Sequence, residues 1–102
     1  MKICSTKQNG VLYIKLVGEL DEHNAAAVRK EADSLVERYA QSERAVFDLG
    51  EVSFMDSTGI GFLIGRYKKL LRLGVQSYIM HPSQNTDKIL SMSGVYSLMP
   101  KI

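Results

Sequence analysis

Apolar and polar positions alternate along "VLYIKLV". Leu12, Ile14 and Leu16 fall on one face, and Tyr13, Lys15 and Val17 on the other. This period of two predicts a strand with one buried face. "KICSTKQ" before it is a second candidate strand. Asn9-Gly10 between them is a strong hairpin signal, because both residues tolerate the positive φ of a type I′ turn. After "GELDEHN", Val28, Ala32, Leu35 and Tyr39 recur at helical spacing, predicting a helix that ends near Ala40. Asp21 and Asn24 compete as its N-cap. "RAVFDL" is nearly continuously apolar, as expected of a buried central strand, and the segment from Gly50 to Asp56 separates it from the next element.

Residues 57–73 predict a second helix, with Ile60, Leu63, Ile64, Tyr67, Leu70 and Leu71 on its apolar side and Arg66, Lys68, Lys69 and Arg72 on solvated faces. Gly74 fits the position just past its end. "VQSYIM" predicts a strand. Pro82-Ser83 introduces a third helix running to about Met92 and closed by Gly94, and "VYSLMP" predicts a final strand. The order is β-β-α-β-α-β-α-β. It implies an α/β fold with a single mixed β-sheet, in which an N-terminal hairpin is followed by β-α crossovers. Strands two and three, joined by a helix, run parallel, so their C-terminal ends share one sheet edge, where open α/β sheets place their sites. That edge receives Glu19, Asp21, Glu22 and His23 from one loop and Asp56, Ser57 and Thr58 from the other.

A length of 102 residues fits one domain, and 45% hydrophobic residues suffice for a core. Cys4 is the only cysteine, so no internal disulfide forms, and a small core residue in a reducing compartment is its expected role. A formal charge of +2 gives no footprint for nucleic acid. No apolar run approaches the roughly 20 residues of a membrane helix, and "MKICSTKQNG" lacks the apolar stretch of a signal peptide. Cytoplasmic localisation is expected, with no membrane and no direct nucleic-acid contact.

The stretch "SFMDSTGIG", residues 53–61, holds the candidate chemistry. Ser57 as a nucleophile lacks the G-x-S-x-G elbow, and His23 and His81 are its only candidate bases. The two histidines are isolated, so no metal site is expected. "TGIG" weakly suggests a phosphate-binding helix start, the basis of an alternative reading as a nucleotide-binding domain or weak NTPase. Gly61 and Gly65, four residues apart, are read as a close-packing face. Asp56 or Ser57 makes a good N-cap, worth about 1 kcal/mol. A single cap does not require two hydroxyls and two glycines. A serine at a helix start also suits phosphorylation, since the helix N-terminus favours negative charge by roughly 0.3–1 kcal/mol. A phosphate there would repel an acidic or tightly packed partner without unfolding the domain.

"GELD" at 18–21, "SFMDSTGIG", "GRYKKL" at 65–70 and "MSG" at 92–94 resemble, in order and spacing, the STAS domains. Within them, the chain is most similar to the sporulation branch of the anti-sigma factor antagonists. The resemblance implies a non-enzymatic partner switch. The unphosphorylated domain would bind an anti-sigma factor that is also a serine kinase carrying an adenine nucleotide, and so release a sigma factor. That kinase would phosphorylate Ser57, and a PP2C-type phosphatase would reverse the change. Asp21, His23, Asp56, Thr58, Gly59 and Gly61 would form the partner-binding surface; no cofactor is implied. A general-stress sigma factor antagonist of the same family is the alternative. Position 58 is Thr where close relatives often carry a second Ser. The chain stops at "MPKI" where relatives usually continue into a further helix, which leaves a C-terminal truncation open.

Overall fold

The structure, a computed structural model, describes residues 1–102. Its elements are β1 (Lys2–Gln8), β2 (Val11–Leu20), α1 (Ala25–Arg38), β3 (Arg44–Met55), α2 (Ser57–Arg72), β4 (Gln76–Met80) and α3 (Gln84–Ser93), followed by a 3₁₀ turn at Val95–Ser97. The four strands form one sheet in the order β1-β2-β3-β4. β1 is antiparallel to β2, while β3 is parallel to both β2 and β4. The hairpin turn is Asn9-Gly10, with φ of 52° and 81°. This is the left-handed pair that a two-residue type I′ turn requires.

Pairing aligns Ile3, Leu16, Leu12, Ile14, Ala45, Phe47 and Ile79 on one face of the sheet. All seven are buried, joined in the core by Val28, Ala32, Leu35 and Val36 of α1 and Phe62, Leu63 and Leu70 of α2. The other face carries Cys4, Thr6, Tyr13, Lys15 and Asp48. Cys4 is therefore exposed, against the expectation of a core residue. Its neighbour Ile3 takes the inward position, and alternation forces Cys4 outward. No helix is long and apolar enough to cross a membrane.

Three further expectations are corrected. Gly50–Met55 is not a separate connection. β3 continues to Met55, pairing Val17 with Glu51 and Leu20 with Met55 after two register shifts, each of which inserts one extra residue in β3. The first shift lies near Asp48, whose Oδ1 accepts from the Gly50 amide at 2.9 Å. This local bend hid the continuity by breaking the apolar pattern. "VYSLMP" is not a strand. Val95 and Met99 are the buried pair, at helical spacing, and the Leu98 amide donates to the Val95 carbonyl at 2.9 Å. Only Lys101 makes a β-bridge, parallel to Ile79. Finally, Arg66 is 7% exposed rather than solvated, and Leu71 is 50% exposed. The inward stripe of α2 is rotated toward Phe62 and Arg66, which face α1.

Candidate functional site

β2 and β3 end at Leu20 and Met55, paired side by side. The β2–α1 loop and the start of α2 thus leave the sheet at one edge. Asp56 is the N-cap of α2, with extended backbone (φ −118°, ψ −170°). Its Oδ1 accepts from the Thr58 amide at 2.9 Å and the Gly59 amide at 3.3 Å. Its Oδ2 accepts from the Glu22 amide at 3.4 Å. One carboxylate therefore serves the helix start and the neighbouring loop together. Ser57 follows at the first helical position with its side chain exposed.

Gly59 is where the backbone must come close. A Cβ there would lie 2.6 Å from the Leu20 carbonyl oxygen and 2.6 Å from Met55 Cγ. The missing side chain lets α2 begin directly against the strand ends. Gly61 and Gly65 behave differently: a Cβ at either meets nothing within 4 Å. The expected close packing at these two positions is not found. They line an open groove of about 370 Å³ between α1 and α2, together with Thr58.

Asp21 is 7% exposed. Its Oδ1 accepts from the His23 amide at 3.0 Å, the Asn24 amide at 3.1 Å and the Asn24 side-chain amide at 2.9 Å. Asn24 holds the N-cap position of α1 but its side chain caps no helix amide, so Asp21 instead folds the turn before the helix. Its carboxylate shapes the loop from within, while His23 and Glu22, with side chains 83% and 74% exposed, form the outer surface. Phe54, 51% exposed, lines a groove between the end of β3 and α3, with Thr86 and Ile89.

Residue patterns alone missed Arg66. Its Nε lies 2.8 Å from Asp33 Oδ1, and its guanidinium carbon is 4.9 Å from the centre of the Phe62 ring. The ion pair is close, but the N–H does not point at the oxygen, and neither Nε nor Nη1 has a directed acceptor. Burial pushes the Arg66 pKa down, Asp33 opposes that shift, and Arg29 adds to it. The available signal was spacing: Thr58, Gly61, Phe62, Gly65 and Arg66 recur on one helical face.

A capped helix start, an exposed serine and an acidic loop thus meet on one edge of a mixed α/β sheet, and the candidate site is a surface. The chain belongs to the STAS domain family, whose model matches residues 2–102. It is 37% identical over 91 residues to an anti-sigma F factor antagonist from Paenibacillus polymyxa, covering 89% of this chain and 77% of that protein. It is 28% identical over 100 residues to an anti-sigma-B factor antagonist from Staphylococcus aureus, covering 97% and 90%. Its fold matches the anti-sigma factor antagonist SpoIIAA in its unphosphorylated form, with a TM-score of 0.79 at 24% identity, covering 99% of this chain and 88% of that one. It also matches the phosphorylated form of the Bacillus protein, with a TM-score of 0.70 at 24% identity, covering 99% and 91%.

Proposed function

We propose that this chain is an anti-sigma factor antagonist switched by phosphorylation of Ser57. In its unmodified form it binds an anti-sigma factor that is also a serine kinase and frees a sporulation sigma factor in the cytoplasm. The kinase transfers the γ-phosphoryl group of ATP to the Ser57 oxygen, with loss of the hydroxyl proton and release of ADP, and a PP2C-type phosphatase hydrolyses the ester. The domain is the substrate of its partners' chemistry and has no catalytic residue of its own in this scheme. Kinship with the Paenibacillus antagonist favours the sporulation branch over the general-stress branch, which the more distant Staphylococcus relative represents.

The observation that carries this reading is the placement of Ser57. It is exposed at the first turn of α2, beside a carboxylate that already occupies the Thr58 and Gly59 amides. A phosphate on Ser57 adds about −1.5 to −2 charges. It gains the field of the helix N-terminus, yet finds those two amides taken and Asp56 and Glu22 beside it. The phosphate is thus left facing outward, toward whatever docks. Occupied amides also count against the nucleotide-binding alternative at the helix start, because a bound phosphate uses free N–H groups. His23, Thr58 and Gly61 would contribute the docking surface; Asp21 acts through loop shape, and Gly59, which is buried rather than presented to a partner, through the close approach of α2 to the strand ends. The test is calorimetric titration of the anti-sigma partner with unmodified and Ser57-phosphorylated domain. At least about tenfold weaker binding of the phosphorylated form is expected; equal affinities would refute the switch.

A further inference from the structure

β4 is an edge strand of the sheet. The unpaired backbone groups of such a strand are a template for pairing with another chain. Here the segment after α3 occupies them. The Ile79 amide donates to the Pro100 carbonyl at 3.0 Å, and the Ile79 carbonyl accepts from the Ile102 amide at 2.9 Å. The Gln76 side-chain amide adds a bond to the Leu98 carbonyl at 3.1 Å. Residues 94–102 thus lie against β4 as a strap. It starts at Gly94, whose left-handed backbone (φ 81°) turns the chain out of α3. Val95 and Met99 seat it in the core. Met99 directly precedes Pro100, so breaking the Ile79–Pro100 bond also moves a buried side chain.

The polar contacts of the strap converge on one carboxylate. Asp87, in the first turn of α3, accepts at Oδ1 from the Tyr96 hydroxyl at 2.6 Å and from Lys101 Nζ at 2.9 Å. The Lys101 nitrogen also stands 5.4 Å from the centre of the Tyr96 ring. Burial, then the Asp87 bond, raises the Tyr96 pKa, so its hydroxyl stays a donor. One acid on the helix therefore ties down both the start and the tip of the strap.

We propose that residues 94–102 are a hinged strap that closes the edge of β4, with Asp87 as its latch. The strap takes the place that a strand from another chain would take by adding to the sheet. Opening turns about Gly94, frees the Ile79 amide and carbonyl, and leaves β1 to β3 and the Ser57 edge folded. It needs no modification of Ser57, so the strap stands or falls separately from the switch.

The test is native-state amide hydrogen exchange of the intact chain, followed by NMR at neutral pH and low urea concentrations. The Ile79 and Met99 amides should exchange through one shared opening, with a smaller urea dependence than the paired amides of β2 and β3. Asp87→Asn should speed exchange at Ile79 and Met99 at least about tenfold, because bonds to a charged acceptor are lost. Lys101→Gln, an exposed change, should speed both at least about threefold and gives the answer if melting shows Asp87→Asn to be unfolded. Exchange of Ile79 and Met99 by separate openings, or only together with β2 and β3, would overturn the proposal. So would rates at Ile79 that neither substitution changes.

Discussion

The Asp56 carboxylate reaches the Glu22 amide across 34 positions of sequence while capping its own helix. This one side chain fixes the serine-bearing helix start against the acidic loop. The proposed docking surface therefore depends on it twice, through helix stability and through loop placement.

Asp56→Ala should cost about 1–2 kcal/mol of stability, at the upper end of an N-cap loss because a loop contact goes with it. Urea denaturation measures this. A cost under a few tenths of a kcal/mol would mean that the cap is not needed.

The glycines of α2 should respond in opposite directions. Gly59→Ala places a methyl group 2.6 Å from a backbone oxygen, which cannot move aside cheaply. It should destabilise by about 1–3 kcal/mol. Gly61→Ala points into open groove and should be neutral or stabilising by up to about 1 kcal/mol, since alanine is the better helix former. Equal effects in thermal or urea melts would contradict the close approach at Gly59.

Ser57→Asp should stay folded, because an acid suits the first turn of a helix. It should bind the anti-sigma partner at least about tenfold more weakly, a loss of ~1.4 kcal/mol. Unchanged affinity by calorimetry would remove the electrostatic basis of the switch.

A pH dependence is expected at α3. Asp87 Oδ1 accepts from the Tyr96 hydroxyl at 2.6 Å and from Lys101 Nζ at 2.9 Å. The Tyr96 bond, then the Lys101 bond, holds the Asp87 carboxyl below its usual range. Its folded pKa is depressed, so its stabilising contribution is present above the unfolded value of about 3.9 and is lost as pH falls through the folded value. Asp87→Asn should lower stability at neutral pH and lessen the dependence below about pH 4. Parallel stability–pH curves for the two proteins would contradict this.

The hairpin was readable because Asn9-Gly10 has few alternatives to its left-handed turn. The shared edge of the two loops was readable because a helical crossover makes β2 and β3 parallel. Other features depended on tertiary contacts that periodicity does not report. β3 seemed to stop near Leu49 because a bend at Asp48–Gly50 breaks its apolar pattern, although pairing with β2 carries it to Met55. Val95 and Met99 lie in an apolar run that strand and helical turn share equally, and the left-handed Gly94 (φ 81°) decides for the turn. Arg66 looked like a surface cation because charge normally signals solvent; Asp33 and the Phe62 ring allow its burial. At the candidate site, the positions of Asp56, Ser57 and Gly59 followed from the motif. That Asp21 is turned inward, holding its own loop, required coordinates.

Identification of the phosphorylated residue tests the switch most directly. The domain, Ser57→Ala and Thr58→Ala would each be incubated with the anti-sigma kinase and ATP, then weighed intact and mapped by peptide mass spectrometry. One added phosphoryl group is predicted on the unaltered chain and on Thr58→Ala, at Ser57 in both, and none on Ser57→Ala. Labelling of Ser57→Ala to the same extent would contradict the account.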